Sequence, residues 1–188
     1  MPCEYTAENH DWDLTLRASW NLVMAGQIAK GKPDLPFSFL TGGMILAFCA
    51  IESFINSMAF SMSADGRYPN FDYARYVKQQ TFWKRFRMLA SNLGIKVDLA
   101  VEPFCTMERM RLWRNSLVHS SPYRIETTFL PEPADSVKLH RCFRSKEFGR
   151  AVTIANARLF FECVWQVIDL LKKESGLDPR PMCTYRVL

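Results

Sequence analysis

In the stretch Leu40-Thr41-Gly42-Gly43-Met44-Ile45-Leu46-Ala47-Phe48-Cys49-Ala50-Ile51-Glu52-Ser53-Phe54-Ile55-Asn56-Ser57-Met58-Ala59, the residues Leu40, Met44, Ala47, Phe48, Ile51, Phe54, Ile55, Met58 and Ala59 recur at spacings of three and four. That spacing draws a broad apolar face on a helix. A helix is therefore predicted over about 38–63, and it is expected to be the most buried element. A membrane span needs about 20 mainly apolar residues. The charge-free run here covers only 39–51 and then meets Glu52 and Asn56. A buried helix accounts for the stretch better than a membrane span.

Working outward from this helix, the flanking segments also read as helices. Asp11 and Asp13 precede Leu14, Leu16, Trp20, Leu22, Val23, Ala25 and Ile28, an irregular apolar face that closes before Gly31 and Pro33. Acidic residues at its start suit the helix dipole. Residues 31–36, rich in breakers, are expected to form the loop between the first and second helices. Asp65-Gly66-Arg67-Tyr68-Pro69 ends the second, and residues 71–93 then alternate aromatic and basic residues at helical spacing up to Gly94, predicting one long or broken helix. A fourth helix is expected from about Asp98 to 118 or 119 despite Pro103, which a first turn tolerates and a helix interior does not, with Ser120-Ser121-Pro122 as its stop. Residues 123–146 lose periodicity, hold Pro131 and Pro133, and show only a short β-like run at 124–129. The last helix is predicted over 148–173 on Val152, Ala155, Leu159, Phe160, Cys163, Val164, Val167, Ile168 and Leu171, ending at Gly176. The expected architecture is an all-α bundle of about five helices with an irregular insertion before the last. It reads as one domain over 1–188, with its core at about 11–175 and a peripheral tail from 176.

Composition agrees with a folded chain. The 188 residues are 48% hydrophobic and 13% aromatic, enough apolar surface to offset chain entropy. The net charge of +5 permits a polyanionic partner without requiring one. The positive charge gathers at Arg75, Lys78, Lys84, Arg85 and Arg87, and again at Lys138, Arg141, Arg144, Lys146 and Arg150. Such clusters attract phosphate backbones, and they equally serve as solvated faces. Cysteines at 3, 49, 105, 142, 163 and 183 form no CxxC pair, so no zinc site is suggested and several read as core thiols. The first residues lack the basic and apolar regions of a secretory signal, which leads to an expected cytoplasmic location without disulfides. A glycine-rich phosphate loop, HExxH and GxSxG are all absent from the sequence, which argues against P-loop, metalloprotease and serine-hydrolase chemistry.

The segment with the most chemistry is Arg114-Asn115-Ser116-Leu117-Val118-His119. It sets a permanent cation, an amide and a titratable imidazole at the end of a helix, a combination suited to phosphate chemistry. On a regular helix five residues turn through about 140°, so Arg114 and His119 diverge while Asn115 and His119 share a face. Convergence then needs the reach of Arg114, fraying before Pro122, or a second copy of the segment. A purely structural role is open for each residue. His119 can cap its helix, and Arg114 can pair with Glu52 or Glu108. Glu52 and Asn56 can be buried polar groups that link helices by hydrogen bonds. Phe82, Trp83 and Trp113 can fill the core or stack on bases.

Taken together, these segments resemble the HEPN superfamily. Residues 114–119 are similar to its R-x4-6-H motif, with the polar residue after the arginine present as Asn115. Ala50-Ile51-Glu52-Ser53-Phe54-Ile55-Asn56 resembles the pattern of its preceding long helix, and Phe82-Trp83-Lys84-Arg85 its basic-aromatic helix. The likeness covers about 39–121, and Ser120 departs from a frequent glycine. It implies a metal-independent endoribonuclease of the toxin or defence type, without cofactor, whose composite site forms where two subunits of a homodimer meet. In that reading Arg114, Asn115 and His119 are catalytic. His119 exchanges protons at the 2′-hydroxyl and the leaving oxygen, Arg114 holds the scissile phosphate, and Asn115 orients its neighbours. Lys84, Arg85, Arg111, Lys138, Arg141 and Arg144 are the expected RNA contacts, and an antitoxin protein is a further expected partner. The alternative is a non-catalytic HEPN-like module that binds a nucleotide, RNA or protein.

Overall fold

The computed structural model describes residues 3–8, 11–29, 34–118, 147–179 and 182–187. In chain order the elements are β1 (Cys3–Glu8), α1 (Trp12–Ile28), α2 (Asp34–Ala64), α3 (Tyr73–Val77), α4 (Phe82–Asn92), α5 (Phe104–Val118), α6 (Glu147–Arg150), α7 (Ile154–Ser175) and β2 (Met182–Val187). The fold class is all-α, as expected, with five helices of eleven residues or more among the described residues. The insertion expected at 123–146, with its β-like run, lies outside the described residues.

The central helix is α2. All nine of its predicted core residues are buried, from Leu40 to Ala59. Burying each large side chain contributes roughly 1.5–3 kcal/mol, so this one face supplies much of the drive to fold. By length and composition Leu35–Ala64 could cross a membrane, yet half of its most apolar window is buried inside the bundle. Its apolar face meets protein, as a core helix requires.

Small residues set how closely α1 lies on α2. A Cβ on Gly43 would come within 2.8 Å of Val23 Cγ2 and 3.0 Å of the Ser19 carbonyl oxygen. The buried Ser19 hydroxyl donates to the Gly43 carbonyl at 2.8 Å across the same crossing. On the other side of the core, α7 presents Phe160, Cys163, Val164, Val167, Ile168 and Leu171, all buried. Burial raises the Cys163 thiol to about 12, so it stays a neutral core group.

Several boundaries differ from the sequence reading. Residues 34–36 belong to α2 rather than to the preceding loop, because Pro36 falls in the first turn, where a missing N–H costs nothing. Of the long or broken helix expected over 71–93, the structure takes the broken form, interrupted between Val77 and Phe82. Asp72 and Thr81 each cap a new start, accepting from the Arg75 and Lys84 amides. The fourth long helix begins at Phe104 and not near Asp98. Residues 98–101 turn instead, with the Ala100 amide on Asp98 Oδ1, and Glu102 caps Thr106 through both its amide and its hydroxyl. Similarly, α7 starts at Ile154, capped by Thr153, and its expected end at Gly176 holds with φ of 65°. Leu14 and Ile28, counted in the α1 face, are 70% and 69% exposed, while Trp12 and Ser19 are buried in their place.

Polar ties hold the outer elements to this core. The Tyr76 hydroxyl donates to Asn56 Oδ1 at 2.9 Å, and the Tyr68 hydroxyl to the Ser175 carbonyl at 2.6 Å. The segment from 176, expected to be peripheral, is tethered at its start. The buried Trp12 indole donates to the Pro179 carbonyl at 2.6 Å, and Lys172 sits over that ring while pairing with Asp178 at 2.7 Å. Beyond it β2 pairs antiparallel with β1, Tyr5 opposite Tyr185.

Candidate functional site

The site forms where α2, the start of α4 and α5 meet. On α5, Met107, Met110 and Trp113 are buried, with Trp113 edge-on to Phe160 of α7 at 5.9 Å. That anchors one face of the helix in the core. Glu108, Arg111 and Asn115 follow one another at three and four residues on a neighbouring face, and Arg114 leans from the same helix toward α2. On α4, the Thr81 cap fixes the first turn, Phe82 packs on Phe48 of α2 at 5.1 Å, and Trp83 is left half-buried beside it.

Two arginines are held in different ways. Arg114 donates from Nη2 to Glu52 Oε2 at 2.8 Å and from Nη1 to Asn115 Oδ1 at 3.1 Å. Its guanidinium also lies over the Phe48 ring, 4.9 Å from the centroid. Both partners of the ion pair remain reachable, with 25% and 34% of their side-chain surface exposed. The remaining N–H groups of Arg114 have no partner among the described residues. Arg111 makes a two-pronged contact with Glu108, Nε to Oε2 and Nη2 to Oε1, both at 2.7 Å. The Trp83 indole N–H donates to the same Glu108 carboxylate. Arg111, with the indole bond adding to it, holds the Glu108 carboxyl below the usual carboxylate range. Beside Arg114, burial and then the Glu52 charge push the Cys49 thiol up, against the pull of the arginine.

Together these side chains border an open cleft of about 450 Å³. Phe48 and Glu52 come from α2, Gln80 and Thr81 from the turn before α4, Phe82 and Trp83 from its first residues, and Arg111, Arg114 and Asn115 from α5. The first turn of α4, with its partial positive charge, faces the same space. Among the described residues no three of His, Cys, Asp and Glu converge. The cleft offers guanidinium, amide and aromatic surface together with the Glu52 carboxylate and the Thr81 hydroxyl.

Of the expected catalytic residues, Arg114 and Asn115 are brought together here and His119 lies outside the described residues. Of the expected RNA contacts, Arg111 lines the cleft. Lys84 is exposed on α4 and is not among the residues that line the cleft, and Arg85 spends its Nε–H on the Gln79 carbonyl at 2.8 Å. Lys138, Arg141 and Arg144 lie outside the described residues. The choice left open for Arg114 resolves to Glu52, because Glu108, three residues from Arg111, is already taken. Asn56 links α2 to α3 through Tyr76 as a connecting group, but it is exposed and Glu52 only partly buried, so neither is the buried polar group expected.

Sequence reasoning missed Gln80 and Phe48. Nothing marks Gln80 in the sequence except its place before a capped aromatic helix start, and Phe48 is indistinguishable there from any other core residue of α2. No family model, curated protein or solved structure matches the chain. The likeness to the HEPN superfamily therefore rests on residues 50–56, 82–85 and 114–119.

Proposed function

We propose that the chain is a metal-independent endoribonuclease of the HEPN toxin or defence type, acting on RNA as a homodimer with a composite site. The observation that carries this reading is the arrangement of Arg114. Its guanidinium is oriented by Glu52, Asn115 and the Phe48 face, yet stays open to a cleft. A planar fork with free N–H groups is suited to a phosphate and to the charge that grows on its oxygens. In the reaction His119 takes the proton of the ribose 2′-hydroxyl, the 2′-oxygen attacks phosphorus, and the 5′-oxygen leaves with a proton returned to it. The products are a 2′,3′-cyclic phosphate and a 5′-hydroxyl, and RNA rather than DNA is the substrate. A cytoplasmic location and a restraining antitoxin protein belong to the same reading.

The test is cleavage of RNA in EDTA by the wild type, Arg114→Ala and His119→Ala. The wild type is expected to cut and both variants to lose about a hundredfold or more, the range for one lost acid–base or charge-stabilising group. Equal and negligible cleavage by all three overturns the reading.

A second reading, a non-catalytic HEPN-like binding module, is favoured by one observation. Both cleft arginines are already neutralised, Arg114 by Glu52 and Arg111 by Glu108. That reading expects saturable RNA or nucleotide binding without product.

A further inference from the structure

We propose that the cleft beside Arg114 receives one unpaired nucleotide of single-stranded RNA, with its base against the Trp83 indole and its phosphate at Arg114. The phosphate half of this assignment rests on the RNA reading above. The base half rests on the walls of the cleft itself.

Trp83 is held as a wall. Its indole N–H is fixed by Glu108, which is itself gripped by Arg111 through two hydrogen bonds. Its aromatic neighbours Phe82 and Phe86 meet it at 72° and 88°, so neither lies parallel on it as a base would. Base–aromatic stacking needs such a fixed ring and tolerates any base. Two amides stand at the edges. Gln80 is exposed and has no hydrogen-bond partner among the described residues, and Asn115 commits only its Oδ1, to Arg114. An amide offers a donor and an acceptor side by side, the complement of a base edge. Unstacked bases in single strands are recognised in this way, by an aromatic face and polar edge contacts, whereas duplex RNA buries its base edges and is read by shape.

Size and charge point the same way. At about 450 Å³ the cleft lies within the range of small-ligand sites, about 300–1,000 Å³, and accepts a nucleotide rather than a helix. The two guanidiniums are balanced by Glu52 and Glu108. Such a cleft suits one phosphate and a planar uncharged group, not the phosphate track of a duplex.

The experiment uses the full chain with 2′-O-methyl oligonucleotides, which lack the attacking hydroxyl and so separate binding from cleavage. The single strand is expected to bind at least tenfold more tightly than the same sequence in a duplex or a mononucleotide. Trp83→Ala weakens single-strand binding about tenfold or more, as loss of one stacked base does, and Trp83→Phe weakens it less. Gln80→Ala, at an exposed position, flattens the preference among A, C, G and U oligomers with an unchanged melting temperature. Should Trp83→Ala not fold by circular dichroism, Trp83→Phe and Gln80→Ala decide. Affinity and base preference unchanged in both overturn the proposal. So does a duplex or a mononucleotide bound as tightly as the strand. Binding as described by a chain that never cleaves RNA sinks the ribonuclease reading and leaves this one standing. Cleavage whose KM is unmoved by the Trp83 variants does the reverse.

Discussion

Glu108 uses one carboxylate to hold two side chains of the cleft, the Trp83 indole and the Arg111 fork. Because its carboxyl is held below the usual value of 4.5, the folded state favours its charged form. The stabilisation it gives is complete above 4.5 and is lost as pH falls through the lower folded value. Glu108→Gln is therefore expected to cost about 1 kcal/mol at pH 7, discounted for partial exposure. The difference from wild type shrinks steadily below pH 4.5, and urea unfolding across pH 7 to 3 measures it. A gap that stays constant with pH removes the ionised carboxylate as the cause. At this scale the sequence was informative about residue types and left their partners as alternatives. Glu108 was open as a partner of Arg114, and Arg111 was read only as an RNA contact, whereas the structure pairs Glu108 and Arg111 with each other. Glu52, sixty-two positions away, was one of two partners open to Arg114, and the choice was made only once α5 was laid on α2.

Among the helices, Gly43 is where the chain is least able to change. Adding a Cβ there meets backbone at 3.0 Å and 3.3 Å as well as Val23 Cγ2, so α1 and α2 must separate. Alanine gains about 1 kcal/mol of helix propensity over glycine, but overpacking against an unyielding neighbour costs more, and Gly43→Ala is expected to destabilise by about 1–2 kcal/mol net. Gly42→Ala, which meets only the end of the Leu22 side chain at 3.1 Å, should be near neutral or stabilising. Chemical denaturation of the two variants separates these outcomes, and equal effects remove the close crossing as the cause. Periodicity read α2 well because its face is buried along its whole length. It misread Leu14 and Ile28 because α1 is covered on one side only, and the indole and hydroxyl of Trp12 and Ser19 are buried through hydrogen bonds that a hydropathy pattern does not score. The position of the break at 78–81 and the late start of α5 were hidden for a related reason. Capping by Thr81 and Glu102 is local side-chain chemistry laid over an uninterrupted apolar period.

For the molecule as a whole, the fold class followed from helical periodicity, whereas the pairing of β1 with β2 joins segments too far apart in sequence for any local pattern to announce. The same distance problem governs the site. Arg114 is drawn toward Glu52 and Phe48 on the α2 side, and α5 runs as a helix through Val118. A position five residues on from Arg114 is rotated by about 140° on a regular helix. In the proposed homodimer a second chain completes the site that needs both Arg114 and His119, and that arrangement predicts complementation. Arg114→Ala and His119→Ala are each expected to be inactive alone. In a two-fold dimer that takes Arg114 from one chain and His119 from the other, the mixed dimer holds one intact site and one doubly altered site. Equal mixing after subunit exchange makes about half the dimers mixed and restores about a quarter of wild-type cleavage. Sedimentation with differently tagged chains establishes that mixed dimers form. If they form and the mixture stays inactive, the arginine and histidine of one site come from one chain, and the composite arrangement is wrong even if the ribonuclease reading survives.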